Sequence, residues 1–169
     1  MVTFATLAYL QREDKILLQR KAPGLFGEGR WNAPGGKLLP GELPEKGAAR
    51  EMREETGLRV SEMRFQGILN FFLGESKVLD QTVFLFKCKK SKGRLRRSAE
   101  GELRWFPIGT LPYNEMWEDD RIWLPLFLKG KSFLGDFYFT ENYNSFVSHE
   151  IHDVSQTVRV YAASVQNVG

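Results

Sequence analysis

Three glutamates in one short segment have the spacing that metal-dependent chemistry requires. Glu51, Glu54 and Glu55 stand at positions i, i+3 and i+4, so in a helix their carboxylates lie on one face. Three negative charges on one face repel one another unless a cation lies among them, and Mg²⁺ prefers oxygen ligands. A bound metal ion also neutralises phosphate oxygens and activates a water molecule. The spacing therefore suits phosphoryl chemistry, although most glutamate-rich helix faces are ordinary solvated surface.

The residues around these glutamates predict the helix that must carry them. Pro44 suits a first helical turn, Ala48 and Ala49 favour a helix interior, and Gly57 suits the C-terminal stop. A loop followed by a helix is therefore expected within residues 41–57.

Apolar runs elsewhere in the chain predict the sheet against which this helix packs. Strands are expected at residues 4–9, 15–18, 64–72, 81–87 and 103–107, a second helix at 119–128, and a closing hairpin at 133–140 and 145–151. Strands mixed with two helices indicate an α/β (α+β) fold, an α/β/α sandwich around a mixed sheet. We expect this domain to span residues 1–154, with a polar tail, residues 155–169, that is loosely attached.

Composition indicates a globular protein and argues against several other classes. Hydrophobic residues make up 42% of the chain, yet its apolar runs are too short to cross a bilayer. The net charge is +3, and the basic residues concentrate within residues 87–97, which is typical of a solvated hairpin loop. The single cysteine, Cys88, fits the reducing cytoplasm. We expect a cytoplasmic monomer that needs no membrane, protein partner or nucleic-acid partner.

The segment of residues 36–58, GKLLPGELPEKGAAREMREETGL, resembles the Nudix box over its full length. The matching positions are Gly36, Glu42, Arg50, Glu51, Met52, Glu54, Glu55, Gly57 and Leu58. With average residue frequencies, such a match at a given start arises by chance on the order of once in a billion. The complete spacing is therefore far more specific than the three glutamates alone.

The resemblance implies a hydrolase that cleaves a phosphoanhydride with Mg²⁺, or with Mn²⁺. Glu51, Glu54 and Glu55 would bind the metal, and the carbonyl of Gly36 could join them. Arg50 would orient a glutamate or the loop through a forked contact. Glu54 is the leading candidate for the base that takes the proton of the attacking water.

One further glutamate is expected from the loop before the strand at residues 103–107. Glu100 and Glu102 both qualify as a metal ligand or base. Glu100 is preferred because Glu102 could already belong to the strand.

Outside the box, residues 24–37 and 115–126 resemble the MutT-type branch of the family. More closely, these segments resemble the mammalian diphosphatases that hydrolyse oxidised purine nucleoside triphosphates such as 8-oxo-dGTP. This resemblance implies that the base is contacted by Asn32, Trp117, Asp119 and Asp120. Trp117 offers a flat face for stacking, and two adjacent carboxylates in one pocket cannot easily both ionise, so the pair could donate and accept hydrogen bonds. The alternative for the aspartates is an N-terminal cap of the second helix.

Other substrate-binding candidates surround these four residues. They are Thr6, Phe26 and Phe72 for the base pocket, Arg20, Lys21 and Lys37 for the phosphates, and Gly35 as a further substrate-binding position. Two positions depart from the mammalian pattern, since Asn70 replaces a phenylalanine and Leu79 replaces a methionine of the pocket wall. Both would change the size or polarity of the pocket.

The resemblance as a whole predicts an enzyme that removes oxidised purine nucleotides from the nucleotide pool, a step that protects DNA. The products would be a nucleoside monophosphate and pyrophosphate. One alternative is a Nudix hydrolase of another nucleotide, a dinucleoside polyphosphate or capped RNA, and the basic segment 87–97 would favour RNA. Another is a catalytically inactive nucleotide-sensing module, against which the intact box argues.

Overall fold

A computed structural model describes residues 1–154 of the chain. The predicted loose attachment of residues 155–169 lies outside the described residues. No helix in residues 1–154 is long and apolar enough to cross a membrane.

One mixed sheet of nine strands forms the centre of the described chain. The strands are β1 (Thr3–Arg12), β2 (Lys15–Lys21), β3 (Trp31–Asn32), β4 (Gly35–Lys37), β5 (Arg59–Leu73), β6 (Val78–Lys92), β7 (Gly101–Pro107), β8 (Phe133–Phe139) and β9 (Phe146–Asp153). Their order is β3-β2-β1-β6-β5-β8-β9, while β4 pairs with β1 and β7 pairs with β2. The pairs β1/β6 and β5/β8 are parallel, and the other pairs are antiparallel.

Two helices cover opposite faces of this sheet. Helix α1 (Pro44–Thr56) buries Ala48 and Met52 in one apolar cluster, and helix α2 (Asp120–Leu128) buries Trp123 and Phe127 in another. Strand β1 contributes side chains to both clusters because successive side chains of a strand point to opposite faces of the sheet. The predicted α/β/α sandwich around a mixed sheet is therefore confirmed.

Local sequence explains where α1 begins and ends. Pro44 occupies its first turn, where a missing N–H costs nothing, and Gly57 closes it with a φ of 78°. The Gly57 N–H donates to the Arg53 carbonyl. The helix thus ends directly after the three glutamates, as the pattern of residues predicts.

Candidate metal and nucleotide site

Two glycines let strand β4 lie close to its neighbours. A Cβ on Gly35 would lie 2.0 Å from the carbonyl oxygen of Thr6, and one on Gly36 would lie 2.7 Å from Glu51 Oε1. Any larger residue would push β4 away from both β1 and α1. The glycines therefore let the backbone of β4 border the glutamates of α1.

A third glycine brings Glu100 to the same place. A Cβ on Gly101 would lie 1.8 Å from the carbonyl oxygen of Arg20, so only glycine lets the start of β7 approach β2 this closely. The Ala22 N–H donates to the backbone carbonyl of Glu100 at 2.9 Å. Glu100 is thereby fixed beside the end of β2, where Lys21 lies.

Lys21 lies between two carboxylates that come from different elements. Its Nζ is 3.6 Å from Glu55 Oε1 and 3.6 Å from Glu100 Oε2. The Gly35 N–H donates to the other oxygen of Glu55 at 3.0 Å. The Glu55 side chain is only 4% exposed, so a cation beside it compensates a charge that water cannot solvate.

Burial raises the pKa of the Glu55 carboxyl to about 7, although Lys21 and the Gly35 N–H both act to lower it. Glu51 and Glu100 add to the rise through their negative charges. A divalent ion among these oxygens would stabilise the ionised form of Glu55 far more than one ammonium does. A donor set that is rich in carboxylates, with Glu55 as its buried member, thus fits a hard divalent cation.

Arg50 ties the glutamates of α1 to the loop before the helix. Its guanidinium forms a two-pronged contact with Glu42, with both N–O distances at 2.8 Å. The same group donates to Glu51 at 2.8 Å, to Glu54 at 3.2 Å and to the carbonyl of Lys37 at 3.2 Å. The hydrogen bond from Arg50, helped by the Leu39 N–H, lowers the pKa of Glu42 to about 2. Glu42 therefore stays ionised and keeps Arg50 in place.

The structure separates the two candidates for the further glutamate. Glu100 reaches Lys21, whereas Glu102 belongs to β7 and pairs with Arg104 at 2.7 Å. The contact with Lys21 favours Glu100 over Glu102 as the further glutamate of the acidic site. Glu54 is the most exposed of the four box glutamates, at 58% of its side chain, so water and a substrate can reach it.

A cavity of about 290 Å³ brings Glu100 together with the residues predicted to bind the base, while Glu51, Glu54 and Glu55 are not among the residues that line it. The predicted residues that line it are Thr6, Lys21, Phe26, Asn32, Gly35, Gly36, Lys37, Glu100, Trp117, Asp119 and Asp120. The structure therefore brings candidates for phosphate and base contacts into one space.

Asp119 and Asp120 are each only 2% exposed at the start of α2. Asp119 accepts a hydrogen bond from Trp123 Nε1 at 2.9 Å, and Asp120 accepts one from the Trp117 N–H at 3.2 Å. Asp119 stands at the N-cap position but makes no side-chain cap hydrogen bond, so capping does not account for it.

Burial raises the pKa of Asp119 to about 6. Burial, and then the negative charge of Asp119, raise the pKa of Asp120 well above its ordinary value. Both shifts favour the protonated forms, and a pair that keeps one proton offers both a hydrogen-bond donor and an acceptor to the cavity.

The raised pKa values of Asp119 and Asp120 make the stability of the fold depend on pH. A carboxyl whose pKa is raised by folding binds more protons in the native state than in the unfolded state. Its contribution to the free energy of unfolding is therefore most favourable at acidic pH and is lost as pH rises through the folded pKa. We expect Asp120→Asn to raise Tm at pH 7.5 by about 2–8 °C, at ~2–4 °C per kcal/mol. The gain should shrink at pH 5, as thermal unfolding at both pH values will show. An equal gain at both pH values would contradict a protonated pair.

Asn32 presents a hydrogen-bond donor to the cavity. Its Oδ1 accepts from the Ala33 N–H at 2.8 Å and from Tyr9 Oη at 3.3 Å. The amino group is then the part of the amide that it can offer to a ligand. The buried Thr6 hydroxyl also lines the cavity, and within residues 1–154 no hydrogen-bond partner satisfies it.

Aromatic and cationic groups cover the ring of Trp117. Phe26 stacks on it with 5.2 Å between ring centroids, and the Arg30 guanidinium lies 4.1 Å from its centroid. Arg30, Phe71 and Tyr143 line the cavity without having been predicted. The sequence offered one sign that Arg30 could line the cavity, because Arg30 lies in the predicted loop directly before Trp31 and Asn32.

The prediction that Phe72 lines the base pocket is wrong. Phe72 stacks on Tyr138 at 5.0 Å, and the neighbouring Phe71 lines the cavity instead. Adjacent strand residues face opposite sides of the sheet, and the β5/β6 register shifts between Phe71 and Phe72. A position carried over by sequence alone therefore falls on the wrong face.

Asn70 and Leu79 also lie away from the cavity wall. Asn70 donates to Asp136 at 3.0 Å and accepts from Thr82 at 2.8 Å, while Leu79 pairs with Phe72 in the ladder. The sheet residues that line the cavity are Leu69, Phe71, Gln81 and Val83. The two departures from the mammalian pattern therefore do not change the wall of this cavity.

Comparison with known proteins agrees with this arrangement. Residues 1–127 match the NUDIX domain. The chain belongs to the Nudix family of hydrolases. This Nudix protein is 38% identical over 150 residues to the oxidized purine nucleoside triphosphate hydrolase of Danio rerio, covering 88% of this chain and 94% of that protein. The corresponding protein of Mus musculus is 36% identical over the same shares of both chains.

A solved structure supports the same assignment. The mutator MutT protein of Bacillus halodurans superposes on this Nudix protein with a TM-score of 0.78 and 25% identity, over 89% of this chain and 97% of that one. Nudix hydrolases generally need a divalent metal ion, and Glu51, Glu54, Glu55 and Glu100 are the candidates to bind it in this protein.

Proposed function

We propose that this protein is a Mg²⁺-dependent nucleoside triphosphate diphosphatase that hydrolyses oxidised purine nucleotides, of the 8-oxo-dGTP type, to the monophosphate and pyrophosphate. The observation that carries this proposal is the shared cavity, which is lined by Gly36 and Glu100 of the candidate metal site and by the buried pair Asp119 and Asp120. The names of the fish and mouse relatives support the choice of substrate.

Glu51, Glu54, Glu55 and Glu100 would hold Mg²⁺ or Mn²⁺, with the carbonyl of Gly36 beside them. The ion would neutralise phosphate oxygens and make bound water a better nucleophile. Glu54 is our candidate for the base that takes the proton of the attacking water, because it is exposed and is oriented by Arg50.

The phosphates would lie between this acidic end and the basic residues of the cavity. Lys21 and Lys37 line the cavity and would contact phosphate oxygens, and Gly35 leaves room for a close backbone approach. A charge-neutralising lysine beside carboxylates lets an anionic chain approach without repulsion.

The base would stack on Trp117 once the Arg30 guanidinium, which covers the ring here, moves aside, while Phe26 stays stacked on the same ring. Oxidation of guanine at C8 turns the N7 acceptor into an N–H donor and adds a carbonyl acceptor. A buried aspartate pair that shares one proton can match such a donor and acceptor pattern, and a mismatched base would leave buried polar groups unpaired. Asn32 and Thr6 would contact other edges of the base.

The proton count of the pair predicts a pH dependence of base binding. Asp119 is ionised above a pKa of about 6, so below that pH the pair loses its charged acceptor and keeps only the weaker acceptors of neutral carboxyls. We expect the Kd of 8-oxo-dGMP, measured without metal by tryptophan fluorescence, to rise several-fold between pH 7 and pH 5. Asp119→Asn should flatten this profile, and an unchanged wild-type Kd across the range would refute the shared proton.

A substrate panel tests the proposed function. The protein would be incubated with 8-oxo-dGTP, dGTP, a dinucleoside polyphosphate and capped RNA, each with Mg²⁺, Mn²⁺ or EDTA. We expect metal-dependent release of pyrophosphate from 8-oxo-dGTP. If capped RNA were hydrolysed and the other three substrates were not, the RNA alternative would be favoured. If nucleotides bound but none was hydrolysed, the protein would be a sensing module.

A further inference from the structure

The turn between β8 and β9 carries a tyrosine in an unusual backbone conformation. Asn142 has a φ of 58° and Tyr143 a φ of 59°, in the left-handed region that residues other than glycine rarely adopt. The turn is closed by the Thr140 N–H, which donates to the Ser145 carbonyl at 2.9 Å, and by the Ser145 N–H, which donates to Thr140 Oγ1 at 2.9 Å. Such conformations persist only where surrounding contacts enforce them, and they cluster at ligand sites.

The ring of Tyr143 lines the nucleotide cavity and contacts its aromatic residues. It meets the Trp117 ring edge-on with 5.9 Å between centroids, and the Phe26 ring edge-on at 5.4 Å. It also lies 6.2 Å from Phe71 and 5.4 Å from Phe139. Tyr143 therefore stands beside the stacked pair that would hold a base.

The phenol of Tyr143 is hydrogen-bonded to strand β6. Its Oη donates to Asp80 Oδ2 at 2.7 Å, across 63 positions of sequence. Asp80 belongs to β6 and directly precedes Gln81, which lines the cavity. Burial, together with this hydrogen bond, raises the pKa of Tyr143, so the phenol remains a donor at every physiological pH. The bond connects the β8–β9 turn to the central sheet.

We propose that Tyr143, held by Asp80, is a positioning residue that fixes Trp117 and Phe26 in the arrangement that accepts a flat purine base. The inference rests on the proposed use of this cavity for the base. A preformed aromatic wall lowers the cost of ordering side chains when the base binds. Tyr143 contacts the aromatic residues and Asp80, so the effect falls on substrate binding and not on the chemical step.

A double-mutant cycle tests this inference. Tyr143→Phe keeps the ring but removes the hydrogen bond, and Asp80→Ala removes its acceptor. We expect each change to raise the KM for 8-oxo-dGTP by about 3–10-fold with kcat within about twofold. The double variant should be no worse than either single variant, because both remove the same bond. Asp80→Asn keeps an acceptor oxygen and should retain more affinity than Asp80→Ala.

Tyr138→Phe is the matched control, since Tyr138 lies in β8 and stacks on Phe72 away from the cavity. A merely structural role for the bond would lower Tm without a selective rise in KM. Unchanged KM in both single variants, effects that multiply in the double variant, or an equal loss of kcat would overturn the inference.

Failure of the proposed function and failure of the positioning role give different results. If the wild type does not prefer oxidised purines, that function fails, and the cycle is run on the triphosphate that the wild type does hydrolyse. Coupling between Tyr143 and Asp80 there would still support the positioning role, and its absence would refute it.

Discussion

Glu54→Gln is expected to lower kcat by about 10³-fold while leaving the fold intact. A glutamine cannot accept the proton of the attacking water and is a poorer ligand for a hard cation, and the loss of a general base alone costs about 10²–10⁴-fold. The side chain is 58% exposed and lies beside Arg50, so the free energy of unfolding should change by less than ~0.5 kcal/mol. Steady-state kinetics with Mg²⁺ and thermal unfolding of the same preparation measure both quantities.

Glu45→Gln is the matched control for this variant. Glu45 is exposed in the first turn of the same helix and lies outside the Nudix box spacing. It should retain near-normal turnover. Activity of Glu54→Gln within tenfold of the wild type would show that another residue, such as Glu51 or Glu100, takes the proton.

Asp119→Asn is expected to remove most of the preference for an oxidised base. The variant should lose about 10²-fold in kcat/KM for 8-oxo-dGTP and much less for dGTP, because an amide cannot reproduce the charge and proton count of the pair. Asparagine still offers an oxygen to Trp123 Nε1, so the packing of α2 should survive. Steady-state kinetics on both substrates give the ratio directly.

Glu118→Gln controls for the removal of one negative charge, since Glu118 is the exposed neighbour of the pair. It should leave the ratio of the two kcat/KM values unchanged. A loss of equal size for 8-oxo-dGTP, dGTP and pyrimidine triphosphates in Asp119→Asn would show that Asp119 does not read the base.

The sequence predicted the catalytic helix well because its signals are local. Pro44 and Gly57 bound the helix, and the positions that match the Nudix box occupy one continuous segment, residues 36–58. Local spacing also predicts that the three glutamates share a face. What spacing cannot give is their environment, for example the burial that raises the pKa of Glu55 to about 7 while Glu54 remains exposed.

The base pocket was harder to predict because its parts come together only in the folded chain. The sequence favoured Glu100 over Glu102 as the further glutamate, but the contact of Glu100 with Lys21, made where Gly101 lies close to β2, is visible only in the folded chain. The placement of Phe72 failed because an irregular register between β5 and β6 determines which side chain faces the cavity. Tyr143 lies in a turn with no sequence motif, and its role appears only through its bond to Asp80.

The most direct test of the proposed function is a competition between two substrates. The wild-type protein would receive 8-oxo-dGTP and dGTP together, at equal concentrations below either KM, with Mg²⁺, and the products would be separated by chromatography. Under these conditions the ratio of rates equals the ratio of kcat/KM values. We predict that 8-oxo-dGMP and pyrophosphate form well before dGMP. Equal rates for both nucleotides, or release of orthophosphate in place of pyrophosphate, would contradict the proposed function.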